Sequence, residues 1–118
     1  MKLIEIVNGM DVIVKLMEKE VDFQLAYKLS KLFNKLGKET DFFNEKRKSI
    51  IEKYGTADKD GSYFIDQKSE DYKVALKELQ ELENVESELD IDLFSIEDLK
   101  TFKLTALDVM KINFLIQE

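Results

Sequence analysis

Apolar residues recur along this chain at two periods, and the switches between them outline the elements. Lys2-Leu3-Ile4-Glu5-Ile6-Val7 is short and β-prone, and Asn8-Gly9 closes it, which predicts a strand and then a turn. Asn8 also suits the N-cap of a helix over about 9–19. Val7 and Val12 would be its hydrophobic staple, and Asp11 would sit at N3 near the positive end of the helix dipole. Asp22 caps a second, longer helix. There Leu25, Leu29, Leu32, Leu36, Phe43 and Ile50 recur at spacings of four and three with polar gaps, and Ala26, Phe33 and Ile51 widen the stripe.

That pattern runs from about 23 to 54, a helix of roughly 48 Å at 1.5 Å per residue. A compact globule of this size has a radius of gyration of only about 13 Å. The helix therefore protrudes or breaks, and Gly37 is the expected break, because Gly costs about 1 kcal/mol inside a helix. Gly55 is a suitable stop. Thr56 to Asp66 reads as a turn around Asp60-Gly61 with a short strand at 62–66. Tyr72, Ala75, Leu76, Leu79 and Leu82 mark a third helix over about 67–84, forming an antiparallel hairpin with the second half of the long one. Leu89, Ile91 and Leu93 then alternate with acids, which predicts a strand with one solvated face. Two capping signals close the chain: Ser95 with Asp98, stapled by Phe94 and Leu99, and Thr105 with Asp108, stapled by Leu104 and Val109. A short helix and a final one of about 105–116 follow. The last carries Leu107, Met110, Phe114 and Leu115 and is apolar nearly all round, so it is buried or part of an interface.

The expected fold is a single α+β domain spanning 1–118. It is helix-rich, with a long helix in an antiparallel helical hairpin. That hairpin packs with a small, roughly three-stranded sheet drawn from 2–7, 62–66 and 87–93.

Composition narrows the chemistry. The chain has no Cys, His, Trp or Pro. Disulfides and Cys-type zinc sites are excluded, as are Ser–His and Cys–His nucleophilic systems within this chain. The commonest acid–base group near neutral pH is also missing. Hydrophobic residues make up 44%, with eight Phe and four Tyr, enough for a folded core. Charge interrupts the N-terminus at Lys2 and Glu5, unlike a signal peptide, and no apolar run reaches the roughly 20 residues of a bilayer span. The expectation is a cytoplasmic, non-enzymatic protein with no cofactor.

The net charge of −7 is uneven. Residues 1–55 sum to +2 and residues 56–118 to −9, and from Glu78 to Asp98 there are nine acids with no Lys or Arg. Such a half opposes general nucleic-acid binding. It offers instead a candidate acidic surface for a basic partner, at Glu78, Glu81, Glu86, Glu88, Asp90 and Asp92; the bland alternative is a solvated, solubilising face. Lys28, Lys31, Lys35 and Lys38 align on one helix face. They are a basic ridge for phosphates or, more simply, the polar side of an amphipathic helix facing the acidic half. Thr56 to Gln67 overlays a twelve-residue calcium loop at Asp58, Asp60 and Gly61, but Thr56 and Gln67 replace two of its strongest ligands, and a solvated turn accounts for the same residues. Phe42 and Phe43 point about 100° apart on a helix, so both cannot enter one narrow stripe. With Ile50, Met110 and Phe114 they form the candidate protein interface, weighed against a wide core.

The opening Met1–Gly9, the segment Gln24–Leu29, Lys48–Gly55 with its Asp/Gly-rich turn, and the Leu89–Leu93 alternation occur in an order that resembles a known family. Ser95–Leu99 and Leu104–Leu107 complete the series. The family is one of uncharacterised small proteins from phages and prophages of Gram-positive bacteria. The resemblance spans almost the whole chain, except that Lys111–Glu118 is less acidic than the family's ending. Its motifs are caps, turns and core positions. It implies a phage or prophage setting and brings no catalytic residue. Two functions remain: a virion structural or assembly component that associates with itself, or an inhibitor of a host protein that uses the acidic face.

Overall fold

The computed structural model describes residues 1–117. Five helices run in chain order: α1 Leu3–Met17, α2 Phe23–Tyr54, α3 Asp71–Glu83, α4 Ile96–Lys100 and α5 Ala106–Lys111. Two short strands, β1 Thr56–Ala57 and β2 Tyr63–Phe64, lie between α2 and α3, and a 3-10 turn, Asn113–Leu115, follows α5. The fold is helix-rich with a small antiparallel sheet. No described helix is long and apolar enough to cross a membrane.

The first correction concerns residues 2–7, which form a helix and not a strand. Leu3, Ile6, Val12, Ile13 and Leu16 fall on one helical face, and all are buried. That face runs straight through Asn8-Gly9, so the short β-prone run is the first third of a helix that would otherwise have begun near residue 9. Packing overrides local propensity here. The start is secured at Lys2 and Leu3. The Lys2 N–H donates to Glu5 Oε1 at 2.9 Å, and the Leu3 N–H donates to the Val85 carbonyl at 2.9 Å. Two donors that helix geometry leaves unpaired are thereby satisfied.

Gly9 is in this helix because something touches it. A Cβ there would lie 3.1 Å from the Lys111 carbonyl oxygen and 3.1 Å from Phe114 Cε1. The C-terminal segment therefore lies directly on the α1 backbone.

At Gly37 the open alternative resolves in favour of a continuous helix. Helix α2 is continuous for 32 residues. Asp22 caps it as expected, accepting from the Leu25 N–H at 3.0 Å. Leu25, Leu29, Leu32, Leu36 and Phe43 are buried. One glycine is a small penalty against that row of apolar contacts, so the helix neither breaks nor shortens. It protrudes instead. The molecule measures 51 × 29 × 24 Å with a radius of gyration of 17.3 Å, against about 13 Å for a compact chain.

At its far end α2 stops at Gly55, where a Cβ would run into the carbonyls of Ile51 and Phe64. The turn Asp58–Ser62 then reverses the chain, with Gly61 at φ +87°, a conformation that favours glycine. It joins β1 to β2, pairing Thr56 with Phe64 and Ala57 with Tyr63. The strand expected at 62–66 is thus shorter, and the helix expected from 67 begins at Asp71. Helix α3 lies against the C-terminal half of α2, and the Tyr54 hydroxyl donates to Glu78 Oε1 at 3.0 Å.

The second correction removes a strand. Residues 87–93 form no strand and belong to no sheet. Their backbone pairs with other backbone only at the two ends. The Ser87 N–H donates to the Met1 carbonyl at 2.8 Å, beside an antiparallel bridge from Lys2 to Glu86. Phe94 forms a parallel bridge with Ile116. Its expected neighbour, residues 2–7, is helical, so no strand lies beside the middle.

The tail helices are short. Both expected capping boxes form: the Asp98 N–H donates to Ser95 Oγ at 3.1 Å and the Asp108 N–H to Thr105 Oγ1 at 3.0 Å, while each Asp carboxylate accepts the N–H of its cap residue at 3.1 Å. The final helix expected to reach 116 stops at Lys111 and tightens into the 3-10 turn. That tightening turns Ile112 and Leu115 inward, both fully buried.

Candidate functional site

The long helix divides the molecule into a packed end and an arm. The packed end holds α1, the first half of α2 and the C-terminal tail. Between Asn44 and Glu81, only Ala75 is buried among the described residues. The arm nevertheless carries apolar side chains. Tyr63, Phe64, Val74 and Leu76 are exposed, and Ile51, Ile65, Tyr72 and Leu79 are half-buried. All of these but Val74, with Arg47 and the buried Ala75, line a cleft of about 200 Å³ between α2, β2 and α3.

The apolar interface expected at Phe42, Phe43, Ile50, Met110 and Phe114 is not one surface. Phe43 is buried in the molecule's own core, and Ile50 and Phe114 pack against that core. Phe42 is exposed beside Lys46, whose ammonium lies 5.8 Å from the ring centroid. Met110, 74% exposed, stands on α5 and lines one cleft together with Phe114, Glu5, Asn8 and Leu107, a cleft that none of Phe42, Phe43 and Ile50 lines. The two adjacent phenylalanines do diverge as the helix geometry requires, one inward and one outward.

The acidic set divides more cleanly. Glu81, Glu86, Glu88, Asp90 and Asp92 are exposed. Glu86 also meets the N-terminal ammonium at 3.2 Å. Glu78 does not belong with them: it is half-buried, accepts the Tyr54 hydroxyl and lies 3.7 Å from Lys53.

The lysines of α2 hold this acidic half in place. Lys28 Nζ donates to the Leu93 carbonyl at 2.6 Å and to Asp98 Oδ2 at 2.9 Å, and lies 5.5 Å from the Phe94 ring centroid. Lys35 Nζ donates to the Asp90 carbonyl at 2.8 Å. Asp98 is therefore both a capping residue and an ion-pair partner. Burial pushes its carboxyl pKa up, but hydrogen bonds from Lys28 and the Ser95 N–H outweigh that, and it lies below the ordinary aspartate value. Asp108 repeats the design: the hydrogen bond from Lys15 Nζ at 2.7 Å, then the Thr105 N–H, hold its carboxyl low. Lys111 and Asp11 add a third tie between the tail and α1 at 2.9 Å.

In the turn after α2, the candidate calcium ligands are occupied by backbone. Asp58 Oδ1 accepts the Lys59 N–H at 2.7 Å and Asp60 Oδ1 the Ser62 N–H at 3.1 Å, and the Ser62 N–H holds the Asp60 carboxyl low. Among the described residues, no three acids gather as a metal-holding group.

The sequence reading missed the aromatic pair at the start of α2. Phe23 and Tyr27 stack at 6.1 Å, 81% and 57% exposed, with the Lys31 ammonium 5.4 Å from the Tyr27 ring. Their four-residue spacing, on the side opposite the leucine stripe, was the available signal. It also missed Tyr63 and Phe64 as exposed aromatics, since a two-residue strand has no second sheet to bury them.

No protein-family model, no curated protein and no solved structure matches the chain.

Proposed function

We propose that this chain is a non-enzymatic protein-binding module of a phage or prophage, serving as a virion structural or assembly accessory protein that associates with itself through its arm. The phage setting rests on the family resemblance alone. What supports a binding role is the arm, where α3 lies against the C-terminal half of α2 and the apolar side chains around them stay half-covered. Contiguous apolar surface rimmed by charge is typical of protein interfaces.

Sedimentation equilibrium tests this directly. A 13.8 kDa chain should run as an oligomer, and Phe64→Asp with Leu76→Asp should return it to monomer without loss of helical signal. Affinity purification from induced cells should bring down capsid, portal or tail proteins. A dilute monomer that captures no virion protein would end this reading.

A second reading is favoured by the exposure of Glu81, Glu86, Glu88, Asp90 and Asp92. In it the acidic face docks on a basic surface of a host defence or nucleic-acid-processing protein and inhibits it. Such binding weakens with salt. It should disappear when Glu86, Glu88, Asp90 and Asp92 are reversed to lysine, and unchanged affinity would exclude it.

A further inference from the structure

Two apolar features stand at the two ends of α2, and each is incomplete by itself. Phe23, in the first turn, is the most exposed large apolar side chain among the described residues, at 81%. Its ring stacks on Tyr27 with centroids 6.1 Å apart, and the Lys31 ammonium lies 5.4 Å from the Tyr27 ring. The stack steadies Phe23, so docking it costs less ordering entropy than docking a free side chain. Toward the other end lies the arm cleft of about 200 Å³, with Ile51, Phe64, Tyr72 and Leu76 in its walls. It falls below the roughly 300–1,000 Å³ of small-molecule sites and suits a single aromatic side chain instead.

Charge matches the two. Phe23 follows Glu18, Lys19, Glu20 and Asp22, all exposed, which sum to −2. Arg47 is the one charged residue in the lining of the cleft. Opposite charges at the rim orient an encounter, and the buried ring supplies the affinity. The next most exposed apolar side chain, Met110, has no such flank, because Asp108 and Lys111 beside it are paired with Lys15 and Asp11. Phe23 cannot reach the cleft of its own chain. From Phe23 to Arg47 the helix is continuous and rises about 36 Å at 1.5 Å per residue.

We infer that the arm cleft of one copy receives Phe23 of a second copy. Two antiparallel copies that exchange this contact close as a two-fold dimer, and copies that do not exchange it grow head to tail. The inference rests on the arm reading above and adds to it the surface of the second copy that the arm takes.

Sedimentation velocity over a range of concentrations tests it, with helical content checked by circular dichroism. Phe23→Asp removes the ring and keeps the cleft. Its fold is retained, because the site is exposed and an acid in the first turn favours the helix. Phe64→Asp with Leu76→Asp spoils the cleft and keeps the ring. The wild-type chain should associate. Each variant alone should be monomeric, with Phe23→Asp lowering the association constant about thirtyfold or more. An equimolar mixture of the two should form a 1:1 pair, since one intact ring and one intact cleft remain between them. If Phe23→Asp associates as the wild type does, or if the mixture stays monomeric, the inference is overturned and the arm reading stands. If the wild type is monomeric, or the cleft variant associates as the wild type does, the arm reading itself fails and the inference with it.

Discussion

Replacing each of two helical glycines by alanine should move stability in opposite directions. At Gly37 a Cβ meets nothing within 4 Å. The site is mid-helix, so the change gains the propensity difference of about 0.8–1.0 kcal/mol and introduces no clash. Taking an unfolding entropy of about 2.1 cal/mol/K per residue over 118 residues, that is a rise in Tm of about 4 °C. Gly9→Ala gains the same propensity but drives a Cβ to 3.1 Å from the Lys111 carbonyl oxygen and the Phe114 ring. Neither neighbour yields easily. The carbonyl belongs to α5, fixed by its capping box and by the Lys111–Asp11 pair, and the ring is packed against the core. Overpacking of this kind costs about 1–3 kcal/mol, so the net change is about 0–2 kcal/mol of destabilisation. Urea unfolding followed by circular dichroism would measure both. If Gly37→Ala is neutral or harmful, the helix is not continuous and open at 37. If Gly9→Ala stabilises as much as Gly37→Ala, the tail does not rest on α1.

Other expected outcomes are simpler. Ser95→Ala and Thr105→Ala should each cost about 1 kcal/mol in urea unfolding, since each removes a side-chain cap. Lys28→Met should cost about 1–3 kcal/mol by the same assay, because it strips charged hydrogen bonds from both Leu93 and Asp98. Leu36→Ala, at a fully buried site, should cost about 2–5 kcal/mol. The acid limb follows from Asp98 and Asp108, whose folded carboxyls titrate below the ordinary value of 3.8. Their contribution is complete above that value and disappears as pH falls through the lowered folded ones. An acid titration should therefore lose stability below about pH 4, and less steeply in Asp98→Asn.

The caps and the stripe of this fold were legible because they are local. Asp22, Ser95 and Thr105 each satisfy a donor three residues away, and Leu25 to Phe43 share a face whatever surrounds them. What escaped was decided at long range. Leu3 and Ile6 fit a short strand or the opening of a helix equally well, and only burial against residues far along the chain selects the helix. Gly9 looks like a turn residue until Phe114 is seen lying on it. The alternation placed Leu89 and Ile91 against the core correctly but not Leu93, which is exposed, and alternation cannot say whether a neighbouring strand exists. The acidic surface was readable except at Glu78, whose partner Tyr54 is 24 positions away. The apolar interface was the least legible, since Phe42 and Phe43 have the same chemistry and a one-residue step of about 100° around the helix separates core from solvent.

The arm and the acidic segment before α4 differ in what they expose, and that difference separates the partners they suit. The arm lacks apolar cover. Isolated helices in water are marginal, and tertiary packing of an apolar face is what stabilises them. From Asn44 onward, α2 contributes no buried residue, and α3 meets it mainly around Ala75. Surface of that kind gains most from a partner that excludes water, and its charge is mixed, with Lys48 beside Glu52 and Lys53 beside Glu78. The acidic segment has Leu89 and Ile91 packed on the core, and the charge it exposes at Glu88, Asp90 and Asp92 has one sign. Self-association through the arm and docking of a basic surface on that acidic face would thus draw on different forces. High salt should weaken the second and spare the first.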